Sequence, residues 1–312
     1  MAGLYFEQSE LGQSFSKVRI PFRSLLFVPG DSERKLAKAE DCPADALILD
    51  LEDSVAPNRT SIARGLVLDY LKAHVDRSRR QLWVRINPLS TAAALLDLSV
   101  LAGGPDGLIL PKVNSAHDVI RLSHMLDALE AREGLSAGRI DIIPVATETP
   151  AALFTLGSYA GCTGRLAGLT WGAEDIAAEL GASTNRGPDG EYDVVYQLAR
   201  ALCLTGAVSA GVQPIDTIWS NFTDTAGLER DARLGRQRGF TGKMAIHPTQ
   251  VAIINAAFTP SDDELAWSRR VVETFECNPG LGTVGLDGKM LDRPHFKQAQ
   301  RIIALARRAA PG

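Results

Sequence analysis

Short apolar runs alternate with longer amphipathic stretches along the chain from Arg23 onward. Each run is almost continuously hydrophobic, which is typical of a parallel strand that is buried on both faces. Eight such runs, separated by segments of helical periodicity, favour a closed (β/α)8 TIM barrel, an α/β fold, over an open doubly wound sheet. The predicted strands are SLLFV (24–28), ALILDL (46–51), LWVRI (82–86), GLILP (107–111), IDIIPVA (140–146), LAGLTWG (166–172), IDTIWS (215–220) and KMAI (243–246).

Two of the other segments carry clear helix signals. Ser115 begins SAHDVIRLSHMLDALEARE, in which apolar residues recur on one face at helical spacing. Pro260 and Ser261 precede DDELAWSRRVVETF, whose early acidic and later basic residues suit the direction of the helix dipole. Both segments are therefore predicted to be helices.

The pattern divides the chain into three parts. Residues 1–22 are polar and without clear periodicity, and they are predicted to form an N-terminal arm. Residues 23–258 hold the eight strands and form the predicted catalytic barrel. Residues 259–312 hold a helix, a glycine-rich loop and a terminal helix beyond the eighth strand, which are free to form a lid or a subunit contact.

Composition narrows the classes of function. The 312 residues carry a net charge of -4 with 45% hydrophobic residues, an ordinary globular balance that offers nothing to attract a nucleic acid. No apolar stretch reaches the roughly 20 residues of a membrane span, and the N-terminal residues do not show the basic region followed by an apolar region that is typical of a signal peptide. The four cysteines are scattered and predict reduced thiols. We therefore expect a cytoplasmic protein without membrane or nucleic-acid partners, with an organellar matrix as the alternative.

Polar residues follow the predicted strands at the point where each strand ends. In a barrel these positions converge on one mouth, where reacting groups lie. Several carboxylates in one pocket repel one another unless protons or a cation neutralise them, and Mg²⁺ usually takes one or two carboxylates together with water and substrate oxygens. The strand-end residues are Asp50, Glu52, Asp53, Arg85, Asn87, Lys112, Glu148, Glu174 and Asp175.

Some of these residues also have purely structural interpretations. A lone glutamate such as Glu148 is more often a helix-start charge or a loop ion pair, although convergence with other carboxylates favours a ligand. Glu174 and Asp175 are adjacent, so at most one of them is expected to point at a metal, with capping of the following helix as an option for the other, and the pattern alone does not choose between them. Arg85 is suited to bind a substrate carboxylate through two parallel hydrogen bonds, which implies a small, oxygen-rich acid as substrate.

Three further positions stay open on the pattern alone. Asp53 or Ser54 either caps the next helix or supports metal-bound water. His247 is more often a hydrogen-bonded loop histidine than a base. Lys112 is either a catalytic ammonium or one half of a buried ion pair.

Eight motifs in order resemble one family. They look like the citrate lyase beta-subunit and malyl-CoA lyase family of the HpcH/HpaI aldolase/citrate lyase superfamily, and they span Arg23 to nearly the C-terminus. Any one motif is weak, but eight at barrel-consistent spacing are specific. The motifs are RSLLFVPGD (23–31), LILDLEDSV (47–55), VRIN (84–87), LPKV (110–113), ATETP (146–150), WGAEDIAAELG (171–181), GKMAIHPTQ (242–250) and LDGKMLDRPH (286–295).

The resemblance implies a TIM barrel, a trimer or a dimer of trimers, that cleaves or forms 3-hydroxy-3-carboxyacyl thioesters of CoA or of an acyl carrier. Glu148 and Asp175 match the family's Mg²⁺ ligands, which selects Asp175 over Glu174. Arg85 matches the arginine that holds the substrate carboxylate, and Glu148 also contacts the substrate. Asp292 matches an aspartate that reaches a neighbouring subunit's site and handles the proton on the acetyl methyl carbon.

The resemblance also places residues around the substrate. Five positions match contacts to the CoA thioester, although Phe27 stands where some relatives have tyrosine, which puts a polar contact there in doubt. A second group is predicted to support the metal and its water. The first set is Phe27, Arg34, Lys38, Ile246 and His247, and the second is Glu52, Asp53 and Lys112.

The predicted function is Mg²⁺-dependent retro-Claisen or aldol-type cleavage of a thioester such as malyl-, citramalyl- or citryl-CoA into an acetyl thioester and a 2-keto acid. One alternative adds hydrolysis, as in a malyl-CoA thioesterase or a malate or citramalate synthase. An alternative of another class is a non-catalytic acyl-CoA-binding or carrier-dependent subunit.

Overall fold

The computed structural model describes Arg19, residues 21–188 and residues 190–309, so most of the predicted N-terminal arm lies outside the described residues. Eight parallel strands lie side by side in the order β5-β4-β3-β2-β1-β8-β7-β6. The strands are β1 (Ser24–Pro29), β2 (Ala46–Asp50), β3 (Gln81–Arg85), β4 (Gly107–Leu110), β5 (Asp141–Pro144), β6 (Gly168–Leu169), β7 (Gln213–Asp216) and β8 (Gly242–Ala245).

Hydrogen bonds between the two outer strands of this order close the sheet. The backbone N–H of Ile142 donates to the carbonyl of Arg165 at 2.8 Å, and that of Ala146 donates to Thr170 at 2.7 Å. Parallel bridges join Ile142 to Leu166 and Val145 to Thr170. The TIM barrel predicted from the apolar runs is therefore confirmed.

Helices surround the barrel and extend beyond it. The predicted helix after Ser115 is α4, which this serine caps, and the predicted helix after Ser261 is α9, which begins with a capping box between Ser261 and Glu264. The helices are α1 (Glu33–Ala39), α2 (Thr60–Ala73), α3 (Ala92–Asp97), α4 (Ala116–Glu133), α5 (Glu174–Leu180), α6 (Val194–Ser209), α7 (Thr225–Arg238), α8 (Pro248–Phe258), α9 (Asp262–Glu276) and α10 (Arg293–Ala309).

The barrel strands contribute side chains to two apolar layers, one on each face of the sheet. One layer fills the barrel interior and includes Ile48, Trp83 and Ile143, while the larger layer lies between the strands and the helices. All five residues of β2 are buried, which explains its unbroken apolar sequence. A Cβ on Gly107 would overlap the Trp83 ring, so the absent side chain makes room for the indole. The barrel interior is thus a packed apolar core, and polar reacting groups can lie only at the ends of the barrel.

The C-terminal segment differs from its predicted loop. Residues 278–295 contain an antiparallel hairpin of β9 (Thr283–Leu286) and β10 (Lys289–Asp292). Asp287 and Gly288 both have positive φ at its two-residue turn, which is the geometry that an Asp-Gly pair favours. The hairpin packs with α9 and α10 around a third apolar cluster, separate from the two layers of the barrel.

Two further expectations concern the chain as a whole. All four cysteines are free thiols, as predicted, with Cys42 and Cys203 buried. No helix in the described ranges is long and apolar enough to cross a membrane.

Candidate active site

A guanidinium and a buried carboxylate face each other on neighbouring strands. Asp50 ends β2 and is in register with Arg85, which ends β3. Nε and Nη2 of Arg85 donate to the two Asp50 oxygens at 2.6 and 2.7 Å, and the Phe27 ring lies 4.7 Å below the guanidinium. Burial acts to raise the pKa of Asp50, but the hydrogen bonds and charge of Arg85 hold it below its usual value. Arg85 is therefore held in one orientation by Asp50, with the Phe27 ring against its guanidinium.

Lys112, which follows β4, contacts acidic residues that follow two other strands, β2 and β6. Its Nζ lies 2.7 Å from Glu52 Oε1, 3.4 Å from Asp53 Oδ1 and 3.3 Å from Asp175 Oδ1. Arg85 Nη1 also reaches Glu52, at 3.1 Å. Burial acts to lower the pKa of Lys112, but the Glu52 carboxylate and its acidic neighbours raise it well above its ordinary value. The predicted supporting group of Glu52, Asp53 and Lys112 is thus assembled as one ion-pair network.

The backbone of Lys112 has a role distinct from that of its side chain. Its φ of 52° lies in the left-handed region, where few residues other than glycine occur. In this conformation the Lys112 N–H donates to Glu148 Oε2 at 2.6 Å. A peptide group on the loop after β4 therefore orients the carboxylate that follows β5.

Glu148 is a buried carboxyl with only 4% of its surface exposed. Burial and the nearby charge of Asp175 raise its pKa to about 8. A Cβ on Gly172 would lie 2.9 Å from Glu148 Cγ, so this glycine makes room for the side chain. Among the described residues Oε1 has no hydrogen-bond donor, and one carboxylate oxygen is left for another ligand.

This donor set fits a hard divalent cation. Glu148 and Asp175 are close enough that the charge of Asp175 raises the pKa of Glu148, and a bound divalent cation would neutralise the repulsion between them. Mg²⁺ usually takes only one or two protein carboxylates. In the described ranges no three His, Cys, Asp or Glu side chains form a metal-binding group, so a site closed entirely by protein ligands is not present there. Glu148 and Asp175 are the residues that would hold Mg²⁺.

The structure separates the adjacent acids Glu174 and Asp175. Both lie in the first turn of α5, whose N-terminal end makes no side-chain capping hydrogen bond. The Asp175 side chain is 30% exposed and contacts Lys112, whereas Glu174 is exposed. Only Asp175 is thus brought to the network at the mouth, and the alternative that Glu174 caps the helix is wrong.

The predicted thioester contacts lie around the mouth in different settings. Arg34 and Lys38 are exposed, one turn apart on α1, directly after β1. His247 caps α8 and its Nδ1 lies 2.8 Å from Thr249 Oγ1, which matches the loop-histidine interpretation. The N–H of Ile246 donates to Gln250 Oε1 at 2.8 Å. Gln250, which carries no sequence signal of a site residue, thereby fixes the loop after β8.

Asp292 lies apart from these residues, at the end of the C-terminal hairpin. Its Oδ1 is 2.5 Å from His295 Nδ1, and this hydrogen bond holds the pKa of Asp292 below its usual value. The side chain is 42% exposed, and its hydrogen bonds in the described part of the chain are local. The chain therefore presents a carboxylate–imidazole pair outward.

The left-handed conformation of Lys112 gives a testable stability difference. We expect Lys112→Gly to be more stable than Lys112→Ala by about 1 kcal/mol, because both lose the ammonium and only alanine strains the backbone. Urea unfolding measures the difference. Asp287, with φ of 50° at the hairpin turn, is a matched position where the same pair should behave alike. Equal stability of the two Lys112 variants would contradict the role of the backbone.

Barrel and site together define the class of the protein. The cations and carboxylates lie at the carboxyl ends of parallel barrel strands, where TIM-barrel enzymes carry their chemistry. Residues 191–309 match the description C–C bond lyase of the TIM-barrel fold. The chain is a TIM-barrel enzyme of the carbon–carbon lyase class.

Residues 23–248 match the family described as HpcH/HpaI aldolase/citrate lyase, and the chain belongs to this family. The citrate lyase subunit beta of Haemophilus influenzae is 34% identical over 91% of this chain and 97% of its own length. The mitochondrial citramalyl-CoA lyase of Homo sapiens is 32% identical over 98% and 92%. The family membership expected from the motifs is confirmed.

A solved structure has the same fold along nearly the whole chain. The CitE protein of Mycobacterium tuberculosis, in complex with magnesium, acetoacetate and coenzyme A, superposes with a TM-score of 0.75 at 33% identity. The match covers 91% of this chain and 97% of that protein.

Proposed function

We propose that the protein is a Mg²⁺-dependent lyase that cleaves a 3-hydroxy-3-carboxyacyl-CoA into acetyl-CoA and a 2-keto acid. The observation that carries this proposal is the pairing of Glu148 with Asp175 beside the anchored guanidinium of Arg85. The CitE relative with bound magnesium, acetoacetate and coenzyme A supports the same three components here: a metal, a small keto acid and a CoA carrier.

Each residue has a defined task in this cleavage. Bound Mg²⁺ supplies a Lewis acid that stabilises negative charge developing on the substrate's hydroxyl oxygen. Arg85, held by Asp50, orients the substrate carboxylate through its Nη1–Nη2 edge, whose Nη1 also lies 3.1 Å from Glu52. Lys112 keeps the surplus negative charge of Glu52, Asp53 and Asp175 balanced. When the carbon–carbon bond breaks, the substrate's hydroxyl gives up its proton and becomes the carbonyl of the 2-keto acid. The electron pair of the broken bond forms a thioester enolate, which takes one proton at carbon, so no net proton is consumed.

Asp292 is the proposed proton carrier for this carbon. Because it lies on the outward hairpin with His295, we propose that it serves the barrel mouth of a second chain in a homotrimer or hexamer. In the condensation direction the Asp292 carboxylate takes a proton from the acetyl methyl carbon, and in cleavage the protonated group returns one to the enolate carbon.

The substrate range is tested directly with purified protein. Malyl-, methylmalyl- and citramalyl-CoA are incubated with Mg²⁺, and both the keto acid and free thiol are measured. A lyase releases an acyl-CoA without free CoA: acetyl-CoA from malyl- and citramalyl-CoA, and propionyl-CoA from methylmalyl-CoA. The (3S)-malyl-CoA thioesterase of Cereibacter sphaeroides, 33% identical, makes hydrolysis the second candidate, and release of free CoA would select it. No turnover of any thioester at stoichiometric enzyme would contradict both activities and favour a non-catalytic subunit.

Complementation tests whether Asp292 acts across chains. We expect Asp292→Asn and Glu148→Gln chains to be inactive alone but to recover activity when mixed and co-refolded, because mixed oligomers contain some sites with both residues intact. The recovered rate is compared with that of each variant refolded alone. His295→Gln, which keeps Asp292, serves as a control that retains partial activity. No recovery from mixed chains that do assemble would contradict a shared site.

We also propose a cytoplasmic location. The bacterial citrate lyase beta relatives support it, whereas the mitochondrial human relative keeps an organellar matrix as the alternative. Fractionation of the source cells distinguishes the two.

A further inference from the structure

The guanidinium of Arg186 is held between two aromatic rings. It lies 3.8 Å from the centroid of the Tyr192 ring and 4.6 Å from that of Trp219. The Tyr192 ring in turn packs edge-on against Trp171, at 5.2 Å between centroids. A cation stacked in this way keeps its plane fixed and loses little conformational freedom when a ligand binds.

This arginine belongs to the barrel mouth. The neighbouring Asn185 donates to the carbonyl of Ala173, which lies two residues before Asp175. Trp219 follows β7, and its carbonyl accepts a hydrogen bond of 2.9 Å from Gln250, the residue that fixes the loop after β8. Arg186 therefore lies on the β6–β8 side of the mouth, whereas Arg85 and Lys112 follow β3 and β4.

Arg186 differs in its pairing from those two cations. Arg85 and Lys112 are each engaged by carboxylates, but Arg186 contacts no carboxylate within the described part of the chain. Its Nη1 donates to the carbonyl of Gly190 at 2.7 Å. Nε and Nη2 make no hydrogen bond to the described residues. These two groups form a parallel donor pair, which matches the oxygens of a carboxylate or a phosphate.

We propose that Arg186 binds a second oxyanion of the thioester substrate, distinct from the carboxylate that Arg85 orients. This inference rests on the proposed thioester substrate and extends it. Two parts of such a substrate carry a suitable group: a further carboxylate on the acyl chain, or a phosphate of coenzyme A. Both are recognised by the same planar donor pair, and they are distinguished by which substrates depend on it.

The test compares Arg186→Gln with the wild type on three substrates. Citramalyl-CoA has one acyl carboxylate and the phosphates, citryl-CoA has an additional carboxylate, and S-citramalyl-pantetheine has no phosphate. Loss of a charge-assisted pair is expected to raise KM roughly tenfold and to change kcat by less than about twofold. If the ligand is a phosphate, KM rises for both CoA esters and stays constant for the pantetheine ester. If it is a carboxylate, KM rises only for citryl-CoA.

Two further variants keep the result interpretable. Arg186→Lys retains the charge but not the donor pair or the stacking, so it should recover only part of the affinity. The same variant replaces Arg186→Gln in the test if the glutamine variant fails to fold. Arg121→Gln, an exposed arginine on α4, removes the same charge from the surface and should leave KM unchanged. Unchanged KM for all three substrates in folded Arg186→Gln overturns the inference.

The proposed function can fail separately. If the wild type cleaves none of the three thioesters, their dissociation constants are measured by calorimetry for the wild type and both Arg186 variants. A roughly tenfold weaker affinity of Arg186→Gln still supports an oxyanion site, whereas equal affinities, or no binding to the wild type, overturn it.

Discussion

Glu148→Gln is expected to abolish Mg²⁺-dependent cleavage, lowering kcat by at least about 10³-fold. The amide has nearly the shape of the carboxyl and can still accept the hydrogen bond from the Lys112 N–H, so the packing is kept. It lacks the negative charge that a hard cation requires. Calorimetric titration with Mg²⁺ should show loss of binding in parallel with the loss of turnover.

Glu174→Gln is the matched control for this substitution. Glu174 is an exposed carboxylate next to Asp175, and its removal changes the net charge by the same amount. We expect this variant to bind Mg²⁺ and to turn over nearly as the wild type does. Near-normal kcat in Glu148→Gln at saturating Mg²⁺ would refute the assignment of Glu148.

The raised pKa of Glu148 also predicts a pH dependence in the metal-free protein. The folded protein keeps this carboxyl protonated up to about pH 8, whereas its ordinary pKa is 4.5. The folded state thus binds more protons between these values, so the free energy of unfolding falls as pH rises from about 4.5 to 8, by about 1.4 kcal/mol per unit of pKa shift. Glu148→Gln should remove this fall, and urea unfolding in chelator at several pH values measures it.

Asp216→Ala is expected to cause the largest loss of stability, about 3–5 kcal/mol. Asp216 is fully buried at the end of β7 and accepts hydrogen bonds from the Arg200 guanidinium and, at 2.8 Å, from Trp171 Nε1. Lys243 Nζ lies 3.4 Å from Asp216 and 2.6 Å from Asp231. Two cations are therefore balanced by two carboxylates, and removal of one carboxylate leaves a buried positive charge without compensation.

For a chain of 312 residues this loss corresponds to a fall in Tm of roughly 5–8 °C. Scanning calorimetry provides the measurement. Glu229→Ala is the control, because Glu229 pairs with Arg233 one helical turn away at a position where both side chains are more than half exposed. Such surface pairs contribute about 0.5 kcal/mol or less. If Asp216→Ala lowers Tm as little as Glu229→Ala does, the buried ion-pair network does not depend on charge balance.

Sequence patterns predicted the barrel because its strands are buried on both faces and therefore appear as unbroken apolar runs. The predictions differ most at two strands: the run 166–172 yields only Gly168–Leu169 as β6, and β7 is Gln213–Asp216, including Pro214, whereas the predicted run was 215–220. Proline is tolerated there because its carbonyl still accepts a hydrogen bond from the backbone N–H of Thr241, the residue before β8. The hairpin was missed because its Asp-Gly turn lies among other glycines that suggest an irregular loop.

The residues at the mouth were predictable only as a set. Strand ends converge in a barrel, so carboxylates and cations could be assigned to one pocket without knowledge of their contacts. The pairing of Asp50 with Arg85 depends on strand register, and the role of Gly172 depends on a close approach between two loops. Arg186 was hidden within a polar loop, because its aromatic partner Trp219 lies beyond another helix and strand in the sequence.

The hydrogen bond that orients Glu148 comes from a peptide group of Lys112, so no side chain at position 112 encodes it. Most substitutions there can weaken this bond only by moving the backbone. Proline alone removes the donor, and its ring also forbids a φ of 52°. In an unbiased library of variants selected for activity, position 112 should accept glycine more readily than proline or valine, although glycine shares nothing with the chemistry of a lysine side chain.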